Sequence, residues 1–242
     1  MIDKNSPLPI YYQLSEQIKR LIQTEQLLPG DLLPSEREYA ERYNISRMTV
    51  RQAISNLVTE GLLCRKKGKG TFVAEKKFEQ NLQGLTSFSE DMQLRGYTPS
   101  NQLISFQLTQ ADKPIAKSLE LNTGDPIYEI KRVRLANDAP VAVETIYTPQ
   151  KIVGNLQEQN FTASFYTFIE DNLQFSIKHG DQVIESALAN HFETKHLHLQ
   201  KGDPVLLMHR ITYLNNENET PFEYVRSAYR ADKYKFKLQM NR

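Results

Sequence analysis

The chain has 242 residues, 39% of them hydrophobic, and 30 Lys and Arg against 29 Asp and Glu leave a formal net charge of +1. That length favours two domains of unequal size. No apolar run approaches the roughly 20 residues needed to cross a bilayer, and the opening MIDKNSPLPIYY lacks the charged and apolar regions of a signal peptide, so a soluble, cytoplasmic protein with no membrane partner is expected.

The single cysteine, Cys64, excludes an internal disulfide framework and leaves no cysteine cluster for a structural zinc site. It reads as a half-buried strand residue. Tyr11, Leu14, Ile18, Leu21 and Ile22 recur at helical spacing and predict a first helix with one apolar stripe. Pro29-Gly30-Asp31 breaks it. Ser35, with Glu38 three residues on, is a capping box that starts a second helix burying Tyr39, Ala40 and Tyr43. After the turn Tyr43-Asn44-Ile45, Ser46 caps a third helix whose inward stripe is Val50, Ala53, Ile54, Leu57 and Val58. Gly61 is placed to end it.

Two short helices joined by a tight turn make a helix-turn-helix. With Val50, Ala53 and Ile54 inward, Arg47 and Arg51 share the outer face beside Thr49, where their forked donors match the acceptor edge of guanine in a major groove. Leu62 to Arg65 and Thr71 to Ala74 then read as two strands joined by Lys66-Lys67-Gly68-Lys69-Gly70, a hairpin with a basic tip. Between Ser46 and Gly70 six basic residues face one acid, Glu60, an electrostatic footprint suited to phosphate backbones. Charge alone fits a solvated face equally well; helix, turn, helix and hairpin in order favour a winged helix-turn-helix that reads double-stranded DNA.

Residues 1–75 are expected to form that domain, 76–83 a polar linker, and 84–242 a second domain. Predicted strands there are Leu103 to Leu108, Ile127 to Leu135, Val141 to Thr148, Phe175 to Leu188, Val205 to Tyr213 and Pro221 to Tyr229. Predicted helices are Ser87 to Arg95, Pro114 to Leu119, Ser164 to Asp171 and Phe192 to Leu197. Short turns between neighbouring strands favour an antiparallel sheet, giving a two-domain α+β chain. No internal repeat is evident.

PSEREYAERYNISRMTVRQAISNLVTEGLL followed by KGKGTFV resembles the N-terminal domain of the GntR family of bacterial transcription regulators. LTSFSEDMQLRG, IKRVRLAND, PVAVET, KGDPVLLMHR and FEYVRSAYRADKY resemble the effector-sensing UTRA domain of its HutC subfamily, whose fold is similar to that of chorismate lyase. In the first domain the resemblance implies base and phosphate contacts by Arg37, Arg47 and Arg51, phosphate contacts by Ser35, Ser46 and Thr49, and a wing tip at Lys67, Gly68 and Lys69. It further implies a homodimer on a palindromic operator, released by a phosphorylated amino sugar such as glucosamine 6-phosphate or N-acetylglucosamine 6-phosphate.

In the second domain Arg132 and Arg134, one residue apart on a strand, point to one face. A helix starting near Ser87 offers free amides for an anion. Alone, the two arginines read more simply as surface partners of acids; the resemblance favours a ligand site. It implies that Ser87, Phe88, Ser89, Arg132 and Arg134 hold the phosphate, and that Glu144, Ser164, Tyr166, Glu223 and Tyr229 meet the sugar. It implies no cofactor.

Two other functions compete. An enzyme on a lyase-like fold has Glu144 and Glu223 as an acid and base pair, yet the five histidines lack a metal-ligand spacing. A constitutive architectural DNA-binding protein has no use for a second domain with an arginine-lined pocket.

Overall fold

The computed structural model describes residues 2–66, 68–74, 77–161 and 164–240. The chain divides into two compact units, Met1–Lys76 and Lys77–Arg242.

Unit 1 contains α1 (Ile10–Gln23), α2 (Glu36–Tyr43), α3 (Arg47–Thr59) and a hairpin of β1 (Leu63–Lys66) and β2 (Gly70–Val73). Each start has a local cause. The Ser35 hydroxyl accepts from the Glu38 amide while the Glu38 carboxylate accepts from the Ser35 amide, and Ser46 accepts from the Thr49 amide at 3.0 Å. Asn44, left-handed at φ +48°, ends α2, and Gly61 at φ +75° follows α3. Leu14, Ile18, Tyr39, Val50, Ile54, Leu57, Leu63 and Val73 close one core. Tyr11 departs from its expected stripe: it sits in the first turn of α1 and is exposed. Leu32 adds a bridge to Phe72, extending the hairpin, and packs so close to Gly70 that a Cβ there would meet its Cδ1 at 2.7 Å.

Unit 2 runs β3 (Phe78–Asn81), α4 (Phe88–Leu94), β4 (Pro99–Gln110), α5 (Lys113–Ser118), β5 (Pro126–Ala136), β6 (Ala139–Pro149), α6 (Gln150–Val153), α7 (Phe165–Thr167), β7 (Ile177–Leu188), α8 (His191–Leu197), β8 (Pro204–Leu214), β9 (Pro221–Arg230) and β10 (Tyr234–Lys237). An antiparallel six-stranded sheet has the order β4-β5-β6-β9-β8-β7. The expected helix Ser164 to Asp171 is the single turn α7 followed by a π-helical turn, Phe168–Asn172. Asn137 and Asp138, both at positive φ, make the two-residue β5–β6 hairpin turn.

Two expectations need correction. The stretch 76–83 is not simply linker: its residues 78–81 are β3, which pairs in parallel with β10, turning Phe78 and Gln80 inward. A repeat is also present. Gly124-Asp125-Pro126 opens β5 and Gly202-Asp203-Pro204 opens β8. Asp125 accepts from the Asn122 amide at 3.0 Å and Asp203 from the Gln200 amide at 2.8 Å, and each aspartate carbonyl takes the amide of an alanine, Ala111 or Ala189, before a capped short helix. The sheet is therefore two three-stranded halves joined at β6 and β9, and Arg132 and Arg210 each lie six residues after the proline.

Candidate functional site

In unit 1 the outer face of α3 presents Arg47, Met48 and Arg51, all exposed. Arg51 is held by Glu36 at the start of α2, its Nη2 2.9 Å from Oε2. That hydrogen bond first, then the carboxylate's charge, raises the arginine's pKa. Arg65 reaches Ser55 Oγ at 3.0 Å and lies 3.8 Å from the same Glu36. Arg37 donates to Glu41, one turn on, at 2.8 Å. Arg47 has no acidic partner among the described residues. The hydroxyls of Ser35 and Ser46 accept cap bonds, and Ser46 and Thr49 also bond each other at 2.8 Å. Gly68, at φ +72°, and Lys69 stand exposed at the hairpin tip; Lys67 lies outside the described residues. The unit thus offers a cationic face with pre-aimed guanidinium groups and an adjacent basic hairpin.

In unit 2, nine of the ten predicted effector residues line one pocket: Ser87, Phe88, Arg132, Arg134, Glu144, Ser164, Tyr166, Glu223 and Tyr229. Ser89, the tenth, accepts from Arg134 Nη2 at 3.1 Å. Strand register accounts for the grouping. Arg132 and Arg134 share a face of β5, Arg132 lies opposite Glu144 on β6, and Glu144 lies opposite Ser227 on β9. Arg132 Nε donates to Glu144 Oε2 at 2.9 Å, and both side chains are buried. Arg134 is 1% exposed and stacks on Phe88, its guanidinium carbon 4.2 Å from the ring centre. Its Nε and Nη1 have no hydrogen-bond partner among the described residues, and Glu144 Oε2 is 4.0 Å from Nε.

Burial, and then the charge of Arg132, lower the Arg134 pKa to about 9. Burial pushes Glu144 up, but Arg132 and Arg134 outweigh it and leave its carboxyl below the ordinary value. Glu223 goes the other way: burial raises it, although it accepts from Thr212 at 2.9 Å and Tyr166 at 3.3 Å. The pocket therefore contains a buried cation whose donors are incompletely used, a state that an anionic oxygen would relieve.

One detail differs from the sequence reading of the α4 end. Ser87 caps α4, its hydroxyl accepting from the Glu90 amide while Glu90 accepts from the Ser87 amide, so both groups are already engaged. Ser89, two residues on, touches the arginine instead. Sequence reading also missed Gln80, Asp91, Arg210 and Ser227 in the lining. Arg210 donates to Tyr166 at 3.2 Å and to Gln182 at 2.9 Å. Its signal was available, since Met208, Arg210, Thr212 and Leu214 alternate on the inward face of β8, where a charge is out of place unless it has work to do.

Comparison with known proteins agrees with this architecture. Residues 10–73 match the model described as bacterial regulatory proteins, gntR family, and residues 94–235 match the UTRA domain. The chain is 50% identical over 241 residues to the HTH-type transcriptional repressor NagR of Bacillus subtilis, covering 100% of this chain and 98% of that protein. It is 31% identical over 230 residues to the mannosyl-D-glycerate transport/metabolism system repressor MngR of Escherichia coli, covering 95% of each. Among solved structures, PhnF from Mycobacterium smegmatis superposes with a TM-score of 0.68 at 28% identity, covering 94% of this chain and 98% of that one. The first two are named as repressors. The chain belongs to the gntR family of bacterial regulatory proteins, joining that family's helix-turn-helix domain to a UTRA domain.

Proposed function

We propose that the protein is a cytoplasmic, homodimeric transcriptional repressor that holds a palindromic operator through unit 1 and releases it when a phosphorylated amino sugar fills the unit 2 pocket. The observation that carries the effector half is Arg134: a guanidinium 1% exposed, with two nitrogens unpartnered beside Arg132, calls for an anion. A phosphate meets Arg134, Arg132 and Ser89, while Glu144, Glu223, Tyr166 and Tyr229 supply hydrogen-bonding groups for a polyhydroxylated ring. The 50% identity to NagR, a protein named as a transcriptional repressor, supports the sign of regulation.

In unit 1 Arg47 and Arg51 read bases, Arg37, Ser35, Ser46 and Thr49 position the backbone, and the hairpin tip with Lys67, Gly68 and Lys69 reaches a neighbouring groove. Two-fold symmetry sets half-sites about one or more helical turns apart. The effector acts only through its different affinities for the DNA-bound and free forms. Fluorescence anisotropy of the full chain on a palindromic fragment, titrated with glucosamine 6-phosphate and N-acetylglucosamine 6-phosphate, tests the reading. Release by either compound is expected. Tight binding unaffected by both refutes the effector assignment and leaves the DNA-binding assignment standing.

A further inference from the structure

We infer that Gln80, on β3, is a further effector-contacting residue, and that through it occupation of the pocket fixes the strand that directly follows unit 1 in the chain. This rests on the effector pocket proposed above and adds to it a residue and a coupling element.

Gln80 is 8% exposed, and its side-chain oxygen is buried without a hydrogen-bond partner among the described residues. A buried amide oxygen left unpaired costs free energy comparable to a lost hydrogen bond, so a residue of this kind is retained where something else completes it. The side chain lines the pocket that holds Arg134, and it also lines an adjoining cavity that shares Thr86 and Arg210 with the first. The two buried groups left short of partners around this one pocket therefore differ in kind: Arg134 asks for an acceptor oxygen, and Gln80 asks for a donor. A sugar phosphate carries both, a phosphate at one end and hydroxyl or amide N–H groups along the ring.

The position of Gln80 gives the contact its consequence. β3 is only four residues long and pairs along its length with β10. Its inward side chains are Phe78, packed on Tyr97 and Tyr234, and Gln80. Phe78 is anchored with or without a ligand; Gln80 gains its partner when one binds. A ligand donor at Gln80 thus adds a hydrogen bond that holds the second half of β3, and short strands with few contacts are drawn from the low-stability end of a fold.

The test uses the full chain. Isothermal titration calorimetry with glucosamine 6-phosphate, N-acetylglucosamine 6-phosphate and glucose 6-phosphate is run on wild type and on Gln80→Met, which keeps the length and removes the amide. An unchanged circular-dichroism spectrum certifies the variant. Affinity is expected to fall about five- to tenfold. A loss shared by all three sugars assigns a hydroxyl donor, and a loss confined to the N-acetylated compound assigns its amide.

Hydrogen exchange on the wild type needs no variant: the amides of 78–81 and 234–237 are expected to slow when the sugar is added. Wild type that binds, with Gln80→Met binding equally well and no slowing at β3, overturns the inference while the effector reading stands. Wild type that binds none of the three sugars refutes the effector reading, and this inference with it.

Discussion

Both units display arginines, in opposite settings. Arg47 and Arg51 stand in water on a helix face, one of them steadied by Glu36, whereas Arg132 and Arg134 are enclosed in a sheet with Glu144. The first arrangement suits a long polyanion met one phosphate or base at a time, with affinity that falls as salt rises. The second suits one small anion taken out of water, where screening counts for little and each missing partner counts for much. In the roles proposed above, the same side chain serves as a reading head in one unit and a socket in the other, and what separates the two settings is exposure.

Five substitutions are chosen to break that contrast. The largest effect is expected from Glu144→Gln, which leaves Arg132 and Arg134 buried without their carboxylate; unit 2 should lose about 3–5 kcal/mol of stability, read by chemical denaturation. Its pH signature follows from the lowered carboxyl. Stability from the ionised Glu144 is present above the ordinary value of 4.5 and disappears as pH falls through the lowered folded value. The variant should lack that acid loss. Glu223 has the opposite sign: its raised pKa means that stability is lost as pH rises through the folded value, and Glu223→Gln should remove that loss.

Arg134→Ala comes next and should weaken sugar phosphate binding by about 3 kcal/mol while operator affinity in anisotropy stays at the wild-type value. An equal loss of operator binding would erase the distinction between head and socket. Arg47→Ala should cost about 1–3 kcal/mol of operator binding, relax base preference and reduce the salt slope by about one, with calorimetric sugar affinity untouched. The smallest change is expected from Ser46→Ala, about 1 kcal/mol of unit 1 stability from the lost α3 cap, seen as a lower melting temperature.

Unit 1 was legible because its signals are local. Capping residues, a 3.6-residue stripe and paired glycines each act within a few positions, and Ser35, Ser46 and Gly61 all sit at helix ends as read. The six long strands of unit 2 were legible for the same reason, through alternation. β3 and β10 were not: FEQN and YKFK are short and polar, and each becomes a strand only by meeting the other across more than 150 residues. The duplication escaped notice because it survives mainly as Gly-Asp-Pro and a six-residue spacing to an arginine. Arg210 escaped with it. The pocket residues Arg132, Arg134, Glu144 and Glu223 come from three strands, and only the resemblance to a family grouped them in advance, since register between β5, β6 and β9 is not written in any one segment.

The β3–β10 pair has a consequence for the order in which a newly made chain acquires its parts. Chains fold as they leave the ribosome, and at about 5–20 residues per second the stretch from β3 to β10 takes on the order of ten seconds to make. Unit 1 is complete before that interval starts, but β3 has no strand to pair with, and Gln80 no finished wall to join, until Tyr234–Lys237 emerges. A nascent molecule therefore gains its helix-turn-helix early and its pocket last, so truncation just before β10 should leave a folded reading domain on a chain that has lost its response to sugar.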